Sequence, residues 1–153
     1  MDMAQEIQSP QEYSFNDISI QLMKAFRGKQ NQIPFSKALG FTFNQAAKWE
    51  NREKRIMLKD VILVATHKEI PIESILSSFF NHEVDFAKTH ELIEKMRGSR
   101  STSEFAKLIG ENRLRVMRWA TGTNDIPFSI FLRMIAAGYG KPEVLIAQLW
   151  PTN

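Results

Sequence analysis

Apolar positions recur along this chain at helical rather than strand spacing. Ile18, Leu22, Ala25 and Phe26 share one side of a helix predicted over residues 15–27, and Gly28 stands where a C-cap glycine would end it. Shorter helices are predicted over 32–39, 43–50, 57–66 and 72–80, with Gly40 stopping the first of these. The second half reads the same way, with helices over 85–97, 102–109, 113–120, 127–137 and 142–149. Pro127 and Pro142 fall near predicted helix starts, where a missing N–H is harmless. The apolar run 61–64 would suit a short strand, but its counterpart 131–134 carries Arg133 within a helical pattern, so both are read as helix. The expected fold class is all-α.

The two halves are copies of one pattern. Sliding the chain against itself lays residues 22–80 on 92–150 without a gap. Leu22/Leu92, Arg27/Arg97, Gly28/Gly98, Phe35/Phe105, Lys37/Lys107, Gly40/Gly110, Trp49/Trp119 and Glu73/Glu143 are identical pairs. Similar pairs include Ile56/Ile126, Leu58/Phe128, Leu76/Ile146 and Phe80/Trp150. The matches gather on apolar positions and glycines, as two copies of one structural unit require. The expected organisation is a loosely attached tail over 1–13 and two five-helix domains over 14–81 and 82–153. The connector, roughly 81–85, is short enough that the copies should pack together or be closely tethered.

The second and third helices of each copy carry the chemistry. Phe35 and Leu39 face inward from one helix, and Ser36 or Ala106 is small where two helices cross. Gly40 and Gly110 permit a left-handed turn, and Thr42 and Asn112 are placed to cap the helix that follows. Ala46 with Trp49, and Val116 with Trp119, turn that helix's apolar side to the body. A helix held proud in this way can enter a DNA major groove. The pattern resembles the lambda-repressor-like, or XRE-type, helix-turn-helix family. The first copy matches it through Gln32, Phe35-Ser36, Gly40, Thr42 and Trp49-Glu50-Asn51, the second through Phe105-Ala106, Gly110, Asn112, Trp119, Gly122 and Pro127. It departs from the pattern at Arg52, where the family commonly has glycine, at Ala120 in place of glutamate, and at Thr102 in place of glutamine.

The resemblance implies which residues would touch double-stranded DNA. In the first copy these are Phe43, Asn44, Ala47 and Lys48, flanked by Gln45; in the second, Arg113, Leu114, Met117 and Arg118, flanked by Arg115. Asparagine suits an adenine edge, arginine a guanine edge or a phosphate, and Phe43 a thymine methyl. Phosphate contacts would come from Gln32, Asn51, Lys54 and Arg55, and from Thr102, Arg115 and Thr121. Two unlike recognition helices would read two unlike half-sites in successive major grooves. If the protein also forms a homodimer, the last helix of either copy, with its aromatic end, is the candidate surface. Three arginines on a short helix are also what a merely solvated face carries. The competing reading is therefore a protein-interaction module, antitoxin-like or phage-derived, that keeps the fold without DNA affinity.

Composition narrows this little further. Apolar residues make up 43% and charged residues 24% of the 153, enough for a packed core. The net charge of +3 is too small to indicate a nucleic-acid partner without regard to where the charges lie. There is no cysteine, hence no disulfide, which suits a reducing cytoplasm. The N-terminal segment is acidic and polar, unlike a secretory signal, and no apolar run has membrane-spanning length. His67, His82 and His90 are scattered, and there is no phosphate-binding glycine loop or nucleophile elbow. No enzyme activity, cofactor, metal or small-molecule substrate is expected, and the repeats leave no room for a separate ligand-sensing domain.

Overall fold

The computed structural model describes residues 9–152, and within them the chain is all-helical. The helices are α1 (Ser9–Arg27), α2 (Gln32–Ala38), α3 (Gln45–Glu50), α4 (Leu58–His67) and α5 (Ile72–Phe80), followed by α6 (Glu91–Arg97), α7 (Thr102–Ile109), α8 (Arg113–Ala120), α9 (Phe128–Gly138) and α10 (Pro142–Leu149). The segment expected as a tail lies partly outside the described residues, and its remainder, from Ser9, belongs to α1.

Two other helix starts depart from the sequence expectation by more than one residue, each for a local reason. The helix expected over 43–50 begins only at Gln45, and Thr42 does not cap it. The Thr42 hydroxyl donates to Asn44 Oδ1 (2.9 Å), and the open N–H of Ala46 is taken instead by the buried Ser36 hydroxyl on α2 (2.9 Å). The helix expected over 85–97 is split into a 3-10 turn, Phe86–Lys88, and α6. Buried Val84 anchors the chain, its N–H donating to Ser77 Oγ (3.0 Å), and the Asp85 carboxylate then starts the separate turn by accepting from the Ala87 N–H (2.9 Å).

One continuous hydrophobic cluster runs through both halves. Its centre is α9, where Phe128, Ile130, Phe131, Leu132, Met134 and Ile135 are all buried. A helix that is apolar on most sides needs neighbours on most sides. Long α1 packs against it most extensively, and α4, α6, α7 and α10 also touch it.

Where the halves meet, the contacts are exchanged. The Leu58 N–H donates to the Ile126 carbonyl and the Phe128 N–H to the Ile56 carbonyl, both at 2.9 Å, flanking an antiparallel bridge between Met57 and Pro127. Leu58 and Phe128, and Ile56 and Ile126, are counterparts under the sequence repeat. Each half thus gives the other what it receives, as in a two-fold interface. α5 likewise packs on its counterpart α10. The aromatic end of α5 is thereby turned inward: Phe80 is wholly buried, its ring 6.0 Å from Phe131 and 5.1 Å from Tyr139 of the same chain.

Candidate nucleic-acid interface

In the second half, α7 and α8 are both capped by their own side chains. Ser101 Oγ accepts from the Glu104 N–H (3.0 Å) while the Glu104 carboxylate accepts from the Ser101 N–H (2.8 Å), a reciprocal capping box. Gly110 then turns left-handed at φ +71°, as the repeat pattern requires. Asn112 Oδ1 accepts from the N–H groups of Leu114 (2.8 Å) and Arg115 (3.3 Å) and so starts α8. Buried Val116 and Trp119 fix the helix to the core. Its other face exposes Arg113, Leu114, Arg115 and Arg118, with Met117 half-buried.

That face is not wholly uncompensated. Glu111, in the turn before α8, holds Arg115 (3.2 Å) and Arg133 (3.3 Å). Arg115 nevertheless remains 57% exposed. Past the helix end, the Thr121 hydroxyl donates to the Met117 carbonyl (3.1 Å). At the start of α7, Thr102 is half-buried and its hydroxyl accepts a long hydrogen bond from Arg97 (3.4 Å).

The corresponding residues of the first half are placed differently. Phe43 is 59% exposed on the turn before α3, with Asn44 half-buried beside it and held by Thr42. Ala47 and Lys48 are half-buried; Asn51, Lys54 and Arg55 are exposed. Gln45, expected at the flank of the recognition face, is instead 5% exposed, and its amide oxygen accepts from the Lys54 ammonium (3.3 Å). Gln32 donates to the Glu50 carboxylate (2.8 Å) and so braces α2 against α3. Arg27 adds a bidentate pair to the same carboxylate at 2.8 and 3.0 Å.

This clamp of Arg27, Gln32 and Glu50 was not singled out from the sequence, although every part of it was visible. The repeat keeps its arginine as Arg97 but has Thr102 for Gln32 and Ala120 for Glu50. In the second half the Arg97 Nε is consequently buried with no hydrogen-bond partner. One place therefore holds a neutralised cation in the first half and a cation without its carboxylate in the second. The Ser36 hydroxyl and Glu111 were also missed, because both act across turns.

Among the described residues no group of histidines and carboxylates is arranged to hold a metal ion, and no helix is long and apolar enough to cross a membrane. No family model, curated protein or solved structure matches the chain.

Proposed function

We propose that the protein is a sequence-specific regulator of transcription that binds double-stranded DNA through two tandem five-helix, lambda-repressor-like helix-turn-helix domains, with α3 and α8 as recognition helices. The observation that carries this reading is α8. It is capped at its start by Asn112, bolted down by Val116 and Trp119, and turns Arg113, Leu114, Arg115 and Arg118 outward. Arginine forks match guanine edges and phosphates, and the anchored helix fixes where their side chains start. Arg97, lacking the carboxylate that its counterpart has, adds positive charge on the same half.

Selection of bound sequences from a random duplex pool, followed by a salt titration of the winner, tests this. An enriched motif whose affinity falls steeply with salt is the expected result. Arg118→Ala should weaken binding to that motif by about 1–3 kcal/mol and relax one position of it. No enrichment and no salt-sensitive binding would sink the proposal.

A second reading, a protein-interaction module, is favoured by one observation. In the first half Gln32, Asn44 and Gln45 are already engaged by Glu50, Thr42 and Lys54, while the apolar Phe43 is exposed. A selected motif with a single half-site whose binding Arg118→Ala weakens would assign DNA contact to α8 and leave the first half to a protein partner.

A further inference from the structure

The two-fold exchange between the halves creates two equivalent clefts, and among the described residues only one of them is filled. In the first, the end of α5 lies against residues 138–140. The Tyr139 ring sits 5.1 Å from the Phe80 ring and 6.2 Å from Phe79, and its hydroxyl donates to the Phe80 carbonyl (2.9 Å). Arg100 closes the cleft's side, donating to the Met96 carbonyl (3.2 Å) across Gly138, where a methyl group would collide with the guanidinium.

In the second cleft the end of α10 lies against residues 25–30 and 68–71, which are counterparts of the same elements. Trp150 takes the place of Phe80, Glu69 that of Tyr139, and Gln30 that of Arg100. Glu69 brings no ring, and its backbone is left-handed, with φ +61° against −133° at Tyr139. The result is an open groove of about 870 Å³, in which Trp150 is 42% exposed although Phe80 is wholly buried. The groove is lined by three basic side chains, Arg27, Lys29 and Lys68, and one acid, Glu69. Arg27 is balanced by Glu50, which leaves an excess of positive charge.

We infer that this groove binds a small planar aromatic carboxylate, whose ring takes the seat that Tyr139 fills in the counterpart cleft and whose carboxylate meets the basic lining. The size suits a small ligand, and the groove pairs one exposed aromatic ring, Trp150, with basic side chains that a carboxylate can meet. No separate sensing domain is needed, because the site is a by-product of joining two unequal copies. None of its lining residues belongs to the candidate DNA-contacting set, so binding here does not depend on whether the protein binds DNA.

The probe is 4-hydroxyphenylacetate, a tyrosine side chain carrying a carboxylate. Trp49 and Trp119 are buried, so Trp150 is the exposed fluorescent reporter. The expected result is a saturable change in tryptophan emission, with a Kd in the millimolar range or tighter. Lys29→Glu, which reverses a lining charge, and Ala147→Phe, which fills the groove, should each weaken it about ten-fold or more. Both positions are exposed, and an unaltered melting temperature identifies the variants as folded. No saturable response, or a response that survives in both folded variants, would overturn the inference.

Discussion

After α3 and after α8 the chain turns through a left-handed residue, Arg52 at φ +64° in the first half and Gly122 at φ +81° in the second. Glycine adopts this conformation freely, whereas the Cβ of any other L-residue crowds the next carbonyl at a cost of roughly 1–2 kcal/mol. Arg52 forms an ion pair with Asp17, but both side chains are well exposed, so the pair offsets little of that cost. Arg52→Gly should therefore raise the stability measured by urea unfolding by about 1 kcal/mol. A lower midpoint would mean that the side-chain interactions of Arg52 outweigh the backbone strain. Gly122→Ala should lower it by about 1–2 kcal/mol, since the conformation is strained for alanine. The new methyl would also sit 3.0 Å from His90 Nδ1. The sequence marked Arg52 as a departure from the helix-turn-helix pattern, but pattern alone cannot say whether a substituted residue abandons the turn or endures it. Here it endures it. Thr42 fails as a cap for a similar reason: the hydroxyl that caps α3 comes from Ser36, a position read only as small.

Among the elements, the Arg27–Glu50–Gln32 clamp distinguishes the two halves most sharply. The side chains of Arg27 and Glu50 are 18% and 11% exposed, so removing the carboxylate strands a mostly buried guanidinium. Glu50→Ala should cost about 2–4 kcal/mol, read from thermal or urea unfolding. Ala120→Glu supplies the carboxylate that Arg97 lacks and should stabilise by up to about 1 kcal/mol, while weakening any DNA binding through the added negative charge. Loss of stability in Ala120→Glu would show that Arg97 cannot reach position 120 as Arg27 reaches Glu50. Helices bounded by local signals were legible in the sequence: α5, α7, α8 and α10 begin and end where the glycines, prolines and apolar spacing put them. The outward face of α8 followed from the same spacing. Burial of Gln45 and engagement of Gln32 did not, because their partners, Lys54 and Glu50, are brought to them only by the turn after α3 and by helix packing.

At the scale of the whole molecule, the seam between the halves carries an electrostatic cost. Asp60, near the start of α4, and Asp125, just before α9, come from opposite halves and lie near one another beside the exchanged Ile56–Leu58 and Ile126–Phe128 contacts. Burial raises the pKa of both above the ordinary carboxylate value, and the nearby Asp125 charge raises that of Asp60 further. Accepting the Met57 N–H (2.9 Å) and the proximity of Lys54 act the other way on Asp60. Backbone hydrogen bonds to Ile126 and Lys59, and the Lys59 charge, do so on Asp125. An acid whose folded pKa lies above its unfolded value binds more protons folded than unfolded between the two. Its charge therefore weakens the fold at neutral pH, and the penalty is relieved as pH falls through the folded pKa toward the unfolded one. Asp60→Asn keeps an oxygen to accept the Met57 N–H and removes the charge. Its melting temperature should exceed that of the parent protein at neutral pH, and the gap should close as the solution is acidified and the parent's Asp60 takes up its proton. A gap that stays constant across the acid range, or a variant less stable at neutral pH, would show that the carboxylate at the seam is held by its hydrogen bonds and lysines more strongly than burial opposes it.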